Sequence, residues 1–252
     1  MFVGFNLKHR RISFDKNNEC YSSGMRTQEL CKRLIYIKMI EYIKGNKVLN
    51  AESIMNYCFP KKKYHIFLSH SHNDLELAQM IADVLKAKHN LDVFIDSNIW
   101  LNYIDILNLV VKEYYLNNND KILQAASHIQ MMLMDSLNYM IDKTECLFFL
   151  NTPNSVPLKD NINSYTYSTW IFSEIEIAKI IRRIQPKRHN NFTKYFSESL
   201  GYRELKIVYK LGLENLISLS EDDFIKWINE KENTPEDALD SLYLKKKIIE
   251  LR

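Results

Sequence analysis

YHIFLSHSHND, residues 64–74, decides how this chain is read. Its first half is a short, uninterrupted apolar run, as expected of a strand buried on both faces. Its second half is polar and carries Asn73 and Asp74, residue types suited to cap a helix. The helix follows at once: in NDLELAQMIADVLKAKHN (73–90), Leu77, Ile81 and Leu85 recur one turn apart. LDVFID (91–96) is then a second apolar run. Strand, helix and strand in such close succession form a βαβ unit, so the sheet should be parallel.

The pattern continues downstream. ECLFFLN (145–151) is a third strand, WIFSEIEIAKIIRRI (170–184) a helix, LKIVYKL (205–211) a fourth strand and NLISLS (215–220) a fifth, followed by a helix through DDFIKWINE (222–230). Apolar runs alternating with amphipathic helices imply an α/β sheet covered on both faces. TPEDALDSLYLKKKIIEL opens with Thr234 at an N-cap and Pro235 at the first helical position, and reads as a separate terminal helix over 233–252. Between the second and third strands the chain is longer than one crossover needs. Residues 97–126 read as an insertion of loop and helix, and SHIQMMLMDSLNYMID (127–142) as a helix capped by Ser127. Upstream, residues 1–25 lack a clear period and read as an arm. Residues 26–46 form a helix with Leu30, Leu34, Ile37, Ile40 and Ile43 on one stripe, and residues 51–59 form a short second helix ended by Pro60. The expected domains are an N-terminal arm and helical extension over 1–61, an α/β domain over 62–232, and the terminal helix.

Composition narrows the function classes. The net charge of +3 and the lack of interleaved aromatic and basic residues give no sign of a nucleic-acid groove. No apolar run approaches the ~20 residues of a membrane span, and no apolar stretch follows Lys8, Arg10 and Arg11 as in a signal peptide. Cys20, Cys31, Cys58 and Cys146 have neither metal-ligand spacing nor a partner histidine, so they read as free thiols in a reducing cytoplasm, with no metal expected.

Four segments resemble motifs of one family, in that family's order. FLSHSHND (67–74) is similar to the first motif of TIR (Toll/interleukin-1 receptor) domains, a strand ending in Ser-His before a short acidic loop. LDVFID (91–96) is similar to the second strand with its terminal acid, and ECLFFLNTPNS (145–155) to the strand ending in a Thr-Pro-Asn-like turn. YSTWIFSEIEIA (167–178) resembles the motif Ser-x-Trp-x-x-x-Glu-hydrophobic-x-x-Ala that opens the next helix. Within the family the chain looks most like bacterial, NAD-consuming proteins of anti-phage defence, including the Thoeris type. It departs from the pattern after Asp96, where the loop is long and lacks a glycine-rich turn, and over 185–204, which is long and basic (Lys187, Arg188, His189, Lys194).

The resemblance implies a flavodoxin-like, doubly wound, five-stranded sheet in the order 2-1-3-4-5, and cleavage of the nicotinamide–ribose bond of NAD. That reaction asks little of a protein. The leaving pyridinium departs neutral and needs no acid, so one carboxylate can support the oxocarbenium-like ribose where glycosidases of sugar–oxygen bonds generally use two. By resemblance the carboxylate is Glu174, four residues after Trp170 and therefore on the same helix face. Ser69 and His70, at the carboxyl end of the first strand, would line the substrate pocket, since open parallel sheets bind ligands at that edge. Asp96 would reach ribose or anchor its loop; Trp170 would stack on a ring or pack under the helix start; Trp100 and Tyr103 would close over an adenine or, as exposed aromatics, dock on a partner. Each has a plainer structural reading: Asp74 as a helix cap, Phe67 as core, His128 as structural, and Arg182, Arg183 and Lys194 as a solvated face.

NAD would be the substrate, with no cofactor. The product would be ADP-ribose or a cyclic isomer, the latter a messenger to a separate effector protein, and homo-oligomers would form through TIR–TIR contacts. Two other classes compete: a non-catalytic adaptor that only assembles, and a nucleoside-processing enzyme such as a deoxyribosyltransferase.

Overall fold

A computed structural model describes residues 1–8, 19–46, 48–59, 62–114, 117–157, 165–188 and 209–249; for 19–31 and Ile99 it describes the backbone alone. In chain order the strands are β1 (Val3–Lys8), β2 (Ile66–Ser69), β3 (Val93–Phe94), β4 (Cys146–Asn151), β5 (Tyr165–Thr166), β6 (Tyr209–Lys210) and β7 (Ile217–Leu219). The helices are α1 (Glu19–Gly45), α2 (Ala51–Cys58), α3 (Leu75–His89), α4 (Asp96–Ile99), α5 (Tyr103–Glu113), α6 (Asn119–Lys143), α7 (Thr169–Ile180), α8 (Glu221–Ile228) and α9 (Pro235–Lys245). The chain divides into two compact units. The first holds residues 1–16, 63–94 and 141–252, and the second holds 17–62 and 95–140.

The first unit is built on a five-stranded, all-parallel sheet in the order β3-β2-β4-β1-β7. This is the expected α/β class, but one position is filled by a different segment. The N-terminal residues, read as an arm, form β1 and lie between β4 and β7, where the run 205–211 was expected. Burial explains the placement: Met1, Phe2, Val3, Phe5 and Leu7 are each at most 3% exposed. At about 2 kcal/mol per buried side chain, that segment contributes roughly 10 kcal/mol of hydrophobic stabilisation. Gly4 sits where a Cβ would come within 2.4 Å of the Leu216 side chain, so the small residue lets the neighbour close in. Of the run 205–211, residues 205–208 lie outside the described part, and Tyr209–Lys210 pair antiparallel with Tyr165–Thr166 in a separate two-stranded ribbon.

The helix ends follow local chemistry. Ser168, Ser220 and Thr234 each accept a hydrogen bond from the backbone N–H three residues on, capping α7, α8 and α9. Asn90, at φ 53°, closes α3 in the left-handed conformation that Asn tolerates.

The second unit is helical, made of α1, α2, α4, α5 and most of α6. Thus the N-terminal helices and the inserted segment form one unit rather than an extension and a loop. α6 begins at Asn119, eight residues before the expected start, with the Asn118 side chain accepting from the Asp120 N–H. Ser127 is therefore inside the helix, donating to the Leu123 carbonyl, and caps nothing. On α1 the inward residues are Met39 and Ile43, whereas Leu34 and Ile37 of the expected stripe are exposed. Among the described residues, no helix is long and apolar enough to cross a membrane.

Candidate functional site

All five strands of the sheet are parallel, so their C-terminal ends share one edge. β2 ends there at Ser69, paired with Phe149 of β4, and β4 runs on to Asn151, whose side chain donates to Asn6 of β1. α7 is placed by its Ser168 cap and by Ile171, Ile175, Ile177 and Ala178, all buried. This register turns Glu174 inward too.

Glu174 is 4% exposed, and its carboxylate accepts a hydrogen bond from the Ser69 hydroxyl at 2.5 Å, across 105 residues of sequence. That length is typical of a hydroxyl donating to a carboxylate. Ser69 is itself 1% exposed. Burying a carboxylate is costly unless it is hydrogen-bonded, so this pair is a specified feature rather than a chance contact. Glu176, two residues on, is half-buried and pairs with Lys179 at 3.6 Å, as a helix-surface carboxylate does.

His70 is half-buried, with Nδ1 3.3 Å from the Leu68 carbonyl. Trp170, in the first turn of α7, is half-buried. Ser69, His70, Trp170 and Glu174 all belong to the first unit, and Asp96 and Trp100 to the second. Asp96 starts α4 and accepts from the Ser97 N–H at 2.6 Å. Lys32 donates to the Ser97 carbonyl; burial lowers its pKa, and attraction from Asp96 and Asp105 opposes that shift. Trp100 is 3% exposed and meets Phe59 edge-on at 5.2 Å. Expected as a ring closing over a ligand or docking on a partner, it is instead a buried residue packed against Phe59. His128 lines an apolar cavity of about 410 Å³ in the second unit, together with Ile54, Ile106, Ile129 and Met132.

No family model, curated protein or solved structure matches this chain.

Two features of the first unit differ from the sequence reading. Asp74, expected to cap α3, makes no side-chain cap bond there. Its carboxylate instead accepts from Thr152 Oγ1 at 2.5 Å and Asn154 Nδ2 at 2.7 Å, tying the segment after β2 to the turn after β4. In the sequence, the polar residues of TPNS (152–155) directly after a buried strand are the signal for this contact. Arg188, assigned to a solvated basic face, lies at the opposite edge and donates to both Glu145 and Asp240. His189 and Lys194 of that face lie outside the described residues.

Proposed function

We propose that this chain is an enzyme that cleaves the nicotinamide–ribose bond of NAD, with Glu174 as the catalytic carboxylate. The observation that carries this reading is the buried Glu174 held by Ser69 at the carboxyl edge of a parallel sheet, where ligands of such sheets bind. The bond from ribose C1′ to the pyridinium nitrogen breaks, and its electron pair neutralises the departing nicotinamide. Positive charge grows on the ribose, and a preorganised carboxylate stabilises it. Water then adds at C1′ and loses a proton to solvent, giving ADP-ribose, or a nucleophilic atom of the same molecule closes a ring. The resemblance to TIR domains supports the same chemistry. In that reading a cyclic product serves as an anti-phage signal to a separate effector, and the chain acts as a homo-oligomer.

The test is incubation of the pure chain with NAD while nicotinamide release is followed by chromatography. Glu174→Gln should lower the rate at least about 100-fold, the size expected when a main electrostatic stabiliser of a transition state is removed. Glu176→Ala should stay within about twofold of wild type. Absence of wild-type turnover, or equal losses in both variants, would sink the proposal. A docking module is the second reading, favoured by one observation: the second unit leaves Leu34, Val48, Leu123 and Met131 more than half exposed.

A further inference from the structure

We infer that Asp74 is a positioning residue for this reaction, acting through Ser69; the inference rests on the NAD-cleaving reading above. Asp74 is 8% exposed, and both of its carboxylate oxygens are taken by residues that follow β4. Thr152 is a built receptor for it. Thr152 Oγ1 accepts from the N–H groups of Asn154 and Ser155 at 3.1 and 3.2 Å, which aims its own hydrogen at Asp74. Ser155 Oγ in turn donates to the Leu150 carbonyl at 2.8 Å, fastening the turn back onto β4.

The residues between Ser69 and Asp74 are therefore held at two points. At one end, Ser69 is in register with Phe149 of β4; at the other, Asp74 is latched to Thr152 and Asn154, just beyond the same strand. A segment fixed at both ends to one strand has little freedom, so Ser69 keeps its hydroxyl on Glu174 without paying rotamer entropy at each turnover. A helix cap would have been the ordinary use of Asp at this position, and the structure spends the carboxylate on the latch instead.

The full chain is assayed for NAD cleavage, with thermal melts alongside. Asp74→Asn places two amide groups and a hydroxyl where a carboxylate accepted two bonds; kcat should fall about tenfold while KM for NAD stays within about twofold. Thr152→Val, which removes one bond of the latch and keeps the side-chain shape, should act in the same direction by about threefold, and stands in if Asp74→Asn does not fold. The swap Asp74→Asn with Asn154→Asp restores an amide–carboxylate pair and should recover kcat to within about threefold of wild type. A kcat per folded molecule unchanged in both single variants overturns the inference, as does failure of the swap to recover any rate while its melting point is restored. Wild-type turnover with unaffected latch variants removes only the positioning role, whereas a wild-type chain that releases no nicotinamide overturns the NAD reading and this inference together.

Discussion

The two edges of the parallel sheet treat a carboxylate in opposite ways. At the carboxyl edge, Glu174 is almost wholly buried and is held by a hydroxyl. At the amino edge, Glu145, at the head of β4, faces Arg188 and accepts a further bond from the Tyr243 hydroxyl at 2.9 Å. Arg188 also grips Asp240 of α9, at 2.7 and 2.9 Å. Burial alone would lower the Arg188 pKa, but the bonds it donates to Glu145 and Asp240 and the attraction of their charges outweigh that and the pKa is raised. A carboxylate neutralised by a guanidinium is a staple between segments. Glu174 lies instead at the edge where parallel sheets bind ligands, with the Ser69 hydroxyl on its carboxylate.

Removing what the edges share should have the largest effect. β1 reaches both, with the Phe2 N–H on the Glu145 carbonyl and Asn6 on Asn151. A chain lacking residues 1–8 loses about 10 kcal/mol of burial, comparable to the whole stability of a typical domain. It should be insoluble or molten, shown by loss of the cooperative melt. A cooperative melt at the wild-type temperature would mean that some other segment fills that strand position.

The next prediction separates the edges. Arg188→Met leaves Glu145 and Asp240 facing each other without their cation. Because these groups are about a quarter exposed, the cost should be about 2–3 kcal/mol, between surface and buried ion-pair values, read by urea unfolding. Nicotinamide release per folded molecule should not change. Glu174→Gln should do the reverse, losing turnover while melting within a few degrees of wild type. If both variants lost stability alone, the two edges would be equivalent and the catalytic assignment would have no basis.

The smallest effect concerns acid. His89, at the amino-edge end of α3, is 4% exposed and stacks on Trp227 at 5.3 Å. Burial pushes its pKa below the ordinary 6.5, against the backbone at Trp227 and the nearby Glu232 and Glu230, which pull it up; Lys88 adds to the lowering. A folded-state pKa below the unfolded one means that the unfolded chain binds the proton more tightly. Stability is then full above the unfolded value and falls as the pH drops below about 6.5. The melting temperature should decline between pH 7 and 5, and His89→Phe should flatten that decline. A wild-type curve level over this range would remove His89 from the account.

Much of the architecture was legible in one dimension. β2, β3, β4 and β7 announce themselves as apolar runs, and α3, α7, α8 and α9 as periodic segments with recognisable starts. Glu174 was singled out by its spacing from Trp170 and the resemblance in which that spacing takes part; its burial was not legible there. β1 was not legible, because a short apolar stretch interrupted by Gly4 and Asn6 gives no hint of its pairing partner. Leu34 was misplaced for a related reason: periodicity shows that a helix has an apolar face, not which neighbour, if any, covers it.

By itself, then, the sequence determined the class of layers and most of the elements, and it singled out Glu174 as the carboxylate of the proposed chemistry. Those follow from interactions within a turn or two of chain, where residue order and spatial neighbourhood coincide. Tertiary structure alone decided that β1 lies beside β4, that Ser69 meets Glu174, that Asp74 leaves its helix for Thr152 and Asn154, and that Arg188 is a staple. Each joins residues dozens or more positions apart, and such contacts are chosen by which surfaces can be buried together once the sheet has formed.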